Sequence, residues 1–227
     1  VGDCFGFAND VALSPITLTK DDPWLVTAST SNAGIIDCSN VHVIVEGGAP
    51  GANVILESYD NGDQDWLNDF GITLLADSLT VEQGATINAD FKGYGNVDSW
   101  NVRGPGGTSG GATHGGYGTS NSAEPYDDVY EPIDLGSKGP NCSKNGNNRF
   151  GGRGGGALRF VVTDTLTIDG EITADGDTAN STSLCTPGQG AGGSIWIDTD
   201  VIDSVVGDGL ITANAGDGIG YGAGGGR

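Results

Sequence analysis

The chain lacks methionine, and its nine basic residues face thirty acidic ones. Because no Met is present, Val1 is not a translation start, and we interpret the chain as a fragment of a longer protein. The net charge of −21 repels nucleic-acid phosphates and anionic lipid, so we expect no nucleic-acid partner. No apolar run approaches the roughly 18 residues of a membrane span, so we also expect no membrane insertion.

Three further absences exclude other classes of protein. The 42 glycines have no three-residue period and there are only eight prolines, which excludes collagen. The four cysteines form no CxxC pair, which argues against a zinc ribbon or a thioredoxin-like site. The phosphate-loop pattern GxxxxGK[ST] is missing, so nucleotide binding is rejected.

The hydrophobic residues that are present occur in short, strand-like runs. They make up 36% of the chain and gather in β-branched stretches such as 41–45 and 158–162, which argues against disorder. Apolar and polar residues alternate at 79–81, 166–168 and 172–174. A period of two is typical of strands with one buried face.

An internal repeat is the main evidence for the fold. Segments 72–90, 158–175 and 195–214 align, and the motif Asp-Gly-x-Ile-Thr-Ala ends the last two. About 18 to 20 ordered residues with three short strands form one turn of a three-sided coil, in which strands stack about 4.8 Å apart. We therefore predict an all-β, right-handed parallel β-helix. The alternative is that each Asp-Gly forms a hairpin turn, which predicts antiparallel pairing.

Glycine-rich stretches follow the same point of each repeat, directly after Ala89, Ala174 and Ala213. Insertions at one corner of a solenoid collect along one edge. The longest, 90–156, is expected to be ordered and folded back over the coil. We predict one β-helix segment over 1–227, with irregular turns in 1–69 and glycine-rich repeat turns in 70–227.

The cysteines and two sequons indicate an oxidising, extracellular location. Sequence alone permits three disulfide pairings, of which we favour Cys4–Cys38 and Cys142–Cys185, because each joins segments of similar location. The sequons begin at Asn141 and Asn180.

One acidic segment is a candidate calcium site. Its oxygen-bearing residues are spaced partly as at the start of an EF-hand loop, but the glycine comes early and no Glu closes the loop. The candidate ligands are Asp60, Asn61, Asp63 and Asp65. An acidic turn without metal is the alternative. We expect no required cofactor, with calcium as the one candidate ion.

Catalytic residues are not evident, and we predict that the chain is not an enzyme. No order of Ser, His and Asp or of Cys and His suggests a nucleophile. Three residues in glycine-rich loops are candidates for glycan contact: Trp100, His114 and Tyr117. For His114 the alternative is a hydrogen-bonded organiser of its loop.

The order of motifs resembles the glycine-rich β-helix repeats of very large secreted or cell-surface proteins of protists and bacteria. The motifs that carry this resemblance are at 84–95, 104–107, 113–118, 154–159 and 192–197. The resemblance covers roughly residues 70 to 227. It implies an adhesin-like, cell-surface or filament protein, with a protist flagellar hair as one example.

We therefore expect a non-catalytic, extracellular structural or adhesive module. Its expected partners are other segments of the same protein or neighbouring copies, and glycans are a further candidate. The alternative function is a carbohydrate-active β-helix, either a polysaccharide lyase or hydrolase or a lectin-like glycan binder, because parallel β-helices host such chemistry.

Overall fold

The computed structural model describes residues 3–22, 24–29, 31–59, 66–95, 103–107, 110–119, 123–179, 185–204 and 209–227. Apart from two short 3-10 turns, Val11–Leu13 and Trp66–Asn68, all regular secondary structure in these ranges is β. The prediction of an all-β chain is thus confirmed at this level.

Two five-stranded parallel sheets form the body of the molecule. The first contains, in spatial order, β13 (Ser194–Ser204), β11 (Ala157–Ile168), β7 (Ile72–Val81), β5 (Ile35–Val45) and β3 (Ile16–Leu18). The second contains β14 (Leu210–Thr212), β12 (Glu171–Thr173), β8 (Thr86–Asn88), β6 (Asn53–Glu57) and β4 (Trp24–Thr27). Two antiparallel hairpins accompany them: β1 (Asp3–Cys4) with β2 (Phe7–Ala8), and β9 (Cys142–Lys144) with β10 (Asn147–Arg149).

Apart from the β1–β2 and β9–β10 hairpins, strands that follow one another in the chain enter different sheets, so each layer contributes one strand to each parallel sheet. β11 and β12, which flank Asp169 and Gly170, each pair in parallel with strands of other layers. The hairpin alternative for this Asp-Gly is therefore wrong. The strands described here form two separate sheets and do not close into one hydrogen-bonded tube.

Register between layers stacks apolar side chains into columns. In the first sheet Leu18, Val45, Val81 and Ile168 occupy one such column, and all four are buried. Alternation along each strand sends these residues to the same face, where each contributes about 1.5–3 kcal/mol by burial. Register shifts interrupt the long strands, as between Val162 and Leu166 of β11. These columns explain why the strand-like runs of the sequence recur layer by layer.

A second region is built from glycine-rich segments that are not assigned as strands and that are mostly buried, apart from the last of them. We call it the glycine array and define it by residues 93–95, 135–140, 151–156, 188–193 and 221–226. Segment 151–156 hydrogen-bonds to three neighbours: Gly93 N donates to Gly154 O, Gly136 N to Gly155 O, and Gly155 N to Ala191 O. A β-strand bonds to two neighbours in one plane, so the array is a three-dimensional packing of backbones.

Close approach between backbones explains the glycine content of the array. A Cβ at Gly154 would lie 1.7 Å from Gly136 O, and one at Gly193 would lie 1.8 Å from Gly156 O. Neither glycine has a positive φ, so contact distance and not backbone conformation demands glycine here. The same steric rule reserves the axis of the collagen triple helix for glycine. The long 90–156 insertion is therefore ordered by backbone packing over its described residues.

The array predicts a sharp difference between two glycine-to-alanine substitutions. Gly154→Ala places a methyl group against a backbone oxygen that cannot rotate away, so we expect a loss of about 3–5 kcal/mol of unfolding free energy. This corresponds to a Tm lower by roughly 10 °C, measured by circular dichroism with disulfides intact.

Gly225→Ala is the matched control, because the nearest atom to a Cβ there is Ala213 O at 4.0 Å. We expect this variant to stay within about 0.5 kcal/mol of the wild type. Equal Tm values for the two variants would contradict close backbone packing at Gly154.

Candidate functional site

A cluster of buried polar side chains lies where segments 110–119 and 123–134 meet the glycine array. Its central residues are His114, Asp127 and Ser194. The side chains of His114 and Asp127 are 0% and 2% exposed, and Ser194 is fully buried. Segment 110–119 is joined to the array by its backbone, since Gly116 N donates to Gly225 O and Gly224 N donates to Ala112 O. The cluster thus connects the array to the segments that cover it.

His114 is held on both sides of its ring. Nδ1 lies 2.8 Å from Gly192 O, and Nε2 lies 3.1 Å from Asp127 Oδ2. Gly192 O and the Asp127 carboxylate are both acceptors, so a ring nitrogen donates to its partner where it carries the hydrogen. The ring also packs on Tyr126, with 4.8 Å between the ring centroids. His114 therefore organises its loop, as the alternative interpretation of the sequence proposed.

Asp127 accepts hydrogen bonds from several backbone amides of the loop that follows it. Its carboxylate accepts hydrogen bonds from the backbone amides of residues 128, 133 and 134, and from the side chains of His114 and Ser194. Burial alone would raise the pKa of Asp127, but the hydrogen bonds from His114, the Ile133 amide and Ser194 outweigh it and lower that pKa below its ordinary value. Asp127 is therefore an ionised anchor for residues 127–134.

The cluster has the composition of a Ser-His-Asp triad but not its geometry. In a triad the histidine receives the serine proton on one nitrogen and contacts the aspartate with the other. Here Nε2 of His114 faces both Asp127, at 3.1 Å, and Ser194 Oγ, at 3.4 Å. Ser194 also lies 2.6 Å from Asp134 O and 2.9 Å from Asp127 Oδ2. Because all three side chains are buried, the arrangement anchors chain segments and exposes no nucleophile to a substrate.

A second candidate site is the outer edge formed by β13 and β14. Among the described strands, none pairs with the outer side of either strand. Ile211 of β14 lies opposite Ile172, which is fully buried, yet Ile211 itself is 40% exposed. Leu210 is also exposed, as are Ile219 and Tyr221 in the following loop. An edge with unpaired backbone groups and apolar side chains is a template for strand pairing.

The glycan-contact candidates have different environments. His114 is fully buried, so its assignment as a glycan contact is corrected: its ring is occupied by protein partners. Tyr117 is exposed, and its hydroxyl donates to Glu124. Trp100 lies outside the described residues, as do the four calcium candidates at 60–65. Within the described part of the chain, no group of three or more His, Cys, Asp or Glu residues is placed to hold a metal ion.

The structure contains two disulfides, in the favoured pairing. Cys4–Cys38 fastens the β1–β2 hairpin to β5, and Cys142–Cys185 fastens the β9–β10 hairpin to the segment before 188–193. Asn141 of the first sequon is partly buried, and its side-chain oxygen accepts a hydrogen bond from Gly151 N. Asn180 of the second sequon lies outside the described residues.

Sequence reasoning missed two of the three residues in the buried cluster. Ser194 reads as the end of a glycine run, and Asp127 is one of thirty acidic residues. The one local feature that could have drawn attention to Asp127 is its position in an Asp-Asp pair, within a stretch that has few glycines. Only the packing of the array brings Ser194 to His114, since 80 residues separate them.

Comparison with protein-family models, with curated proteins and with solved structures found no significant match to this chain. Among the described residues, no helix has the length and apolar character needed to cross a membrane.

The Asp127 anchor predicts a pH-dependent stability difference. Because the folded-state pKa of Asp127 is lowered, its contribution is complete above the unfolded value of about 3.9 and is lost as the pH falls through the folded value. We expect Asp127→Asn to lower the unfolding free energy by about 2–4 kcal/mol at pH 7, with a smaller difference at pH 3. Urea unfolding at pH 7, 4 and 3 measures both values.

Asp77→Asn is the control, because Asp77 is an exposed residue of β7 and the substitution removes the same charge. Burial raises the pKa of Asp90, and this effect is the same in wild type and variant, so it cancels in the difference. Burial and the neighbouring charge of Asp127 raise the pKa of Asp134, so Asp127→Asn also relieves part of that shift, and the difference measured at pH 7 is the net of this relief and the lost hydrogen bonds. A deficit for Asp127→Asn that stays constant from pH 7 to pH 3 would contradict the anchor.

Proposed function

We propose that this chain is a non-catalytic, extracellular structural or adhesive module, built as a right-handed parallel β-helix with the glycine array along one edge. In-register parallel pairing through five layers supports this fold. The alternation of successive strands between the two parallel sheets supports this fold as well. The proposed function is to present the β13–β14 edge to a further layer of parallel strands.

A repeated hydrogen bond at the corner of each layer is the observation that carries this proposal. Gly156 N donates to Ala89 O at 2.8 Å, Gly193 N to Ala174 O at 2.8 Å, and Gly226 N to Ala213 O at 2.7 Å. Each bond closes the neck of one glycine-rich insertion, and after the first two the chain enters β11 and β13 of the first sheet. The last corner therefore has the same geometry as the two that precede a strand.

Backbone pairing extends this repeat by one residue. Ser194 N donates to Gly156 O, and in the next layer Arg227 N donates to Gly193 O, both at 3.0 Å. Arg227 O in turn accepts from Ile195 N at the start of β13. A strand that pairs along β13 from this point would continue the first sheet. Such a strand comes from another segment of the same protein or from a neighbouring copy.

The remaining features support a structural role over a catalytic one. The Ser-His-Asp cluster is buried, and its hydrogen bonds hold protein segments. The net charge of −21 keeps a repetitive, edge-bearing protein soluble. Both disulfides and the lack of any free cysteine fit an oxidising, extracellular compartment. The glycan-binding alternative has the exposed Tyr117 as its only described aromatic candidate.

Self-association of the isolated chain tests the proposal. We expect a concentration-dependent dimer through β13 and β14, and we expect Ile211→Lys to weaken it at least tenfold, because an inward charge on an edge strand blocks pairing. Sedimentation velocity from micromolar to millimolar concentration measures the dissociation constant.

Val11→Lys is the matched control: it adds the same charge at an exposed residue of the Val11–Leu13 turn, which contacts β5 toward the opposite end of the first sheet from β13, and it should leave association unchanged. A wild-type chain that is folded and strictly monomeric up to about 1 mM would contradict the proposed use of the edge.

A further inference from the structure

A cleft lies along the outer edge of β4, which is at the other end of the second sheet from β14. The cleft has a volume of about 420 Å³, and all four residues of β4, Trp24–Thr27, line it. β4 pairs with β6 on one side, and it is the outermost described strand of its sheet on the other. The cleft is thus placed to receive backbone as well as side-chain groups.

The direction of the backbone groups follows from one hydrogen bond. Ala28 N donates to Glu57 O of β6 at 2.8 Å. In a parallel strand, alternate residues direct both their N–H and C=O groups to the same side. Residues 24 and 26 therefore face β6, and residues 25 and 27 face the cleft. The carbonyl of Thr27 lies 3.5 Å from the side-chain amide nitrogen of Asn32, which leaves Leu25 as the principal donor and acceptor for an added strand.

Apolar side chains form the part of the cleft beside Trp24, and contacts within the protein hold them in place. Trp24 is held by its indole N–H, which donates to Thr19 O at 2.9 Å, and Phe5 contacts it edge-on. Leu25 and Ile35 are 57% and 47% exposed, the sort of unpartnered apolar surface that marks an interaction site. Trp24 stands in the column of Val54, Ile87 and Ile172, so the next position of this column falls in the cleft. An inward apolar residue of an added strand would take that position.

The β1–β2 hairpin limits what can bind to one strand. β1 packs against β5 and is fastened there by Cys4–Cys38. The same hairpin supplies Asp3, Phe5 and Gly6 to one wall of the cleft. It therefore covers the first sheet at this end, while the β4 edge of the second sheet stays accessible. A complete further layer would collide with the hairpin, but a single extended peptide would not.

Charge around the cleft selects a basic peptide. Asp3 lies on one wall, and Asp21 and Asp22 line an adjoining cleft on the other side of Trp24, together with one cation, Lys20. The chain as a whole carries a net charge of −21. Complementary charge accelerates association and favours one partner over another.

We propose that the β4 edge binds an extended segment of a partner protein as an added strand, and that this segment has alternating apolar residues and flanking Lys or Arg. Main-chain hydrogen bonds to Leu25 supply affinity, and the pocket beside Trp24 selects an apolar side chain. β4 and β14 are the two outer strands of the second sheet, so the failure of one proposal would leave the other unaffected.

The probe is a fluorescein-labelled peptide, acetyl-Lys-Thr-Val-Thr-Val-Thr-Val-Lys-amide, titrated with the full chain by fluorescence anisotropy. We expect binding in the micromolar range, weakened by added salt. Leu25→Pro should weaken binding at least tenfold, because it removes the edge N–H without removing a bond to β6. Leu25→Val keeps that N–H and a similar apolar surface, and it should stay within threefold of the wild type.

A second peptide, N-methylated at alternate amides, tests strand pairing on the unaltered protein and is expected to lose binding. Equal affinity for the methylated peptide, or for a version that ends in Glu instead of Lys, would overturn the proposal. The proposal would also be overturned if the peptide competed with self-association of the chain and this competition disappeared in the Ile211→Lys variant. That result would identify the natural occupant of the cleft as β14 of a second copy.

Discussion

Direct contact between backbones is the interaction on which the rest of the structure depends. In the glycine array a segment such as 151–156 donates and accepts hydrogen bonds on several sides, and its neighbours lie closer than any Cβ would allow. Such a packing replaces side-chain burial with satisfied backbone groups. It explains how a long insertion with few large apolar residues is ordered although, over its described residues, its only regular secondary structure is the β9–β10 hairpin.

The array also determines what the polar side chains do. Backbone packing encloses His114 between Gly192 O and Asp127, and buried polar side chains are retained only when they are hydrogen-bonded. Asp127 then fixes the conformation of residues 127–134 through three backbone amides. The polar cluster is therefore a consequence of the glycine packing, and it anchors the segments that cover the array.

The sequence predicted the regular part of the fold better than the site. Alternation at 79–81 and 166–168, and the recurrence of Ala before each glycine run, carry local information that stacked layers preserve. The points of departure at Ala89, Ala174 and Ala213 appear in the structure as three equivalent hydrogen bonds. The contacts of His114 carry no such local signal, because their partners, Asp127 and Ser194, are set by the packing of the array. The calcium and Trp100 predictions fall outside the described residues.

The two outer edges of the parallel sheets differ: a hairpin covers one of them, and no described strand covers the other. This difference limits how copies can assemble. The β1–β2 hairpin, fastened by Cys4–Cys38, covers the first sheet beside β5, so a second copy cannot continue both sheets there. Isolated chains that meet through β13 and β14 therefore use the same edge twice, and a two-fold contact of this kind closes as a dimer. Open-ended growth requires two unlike surfaces. The proposed dimer therefore uses up the β13–β14 edge of both copies and leaves no second edge of the same kind for growth.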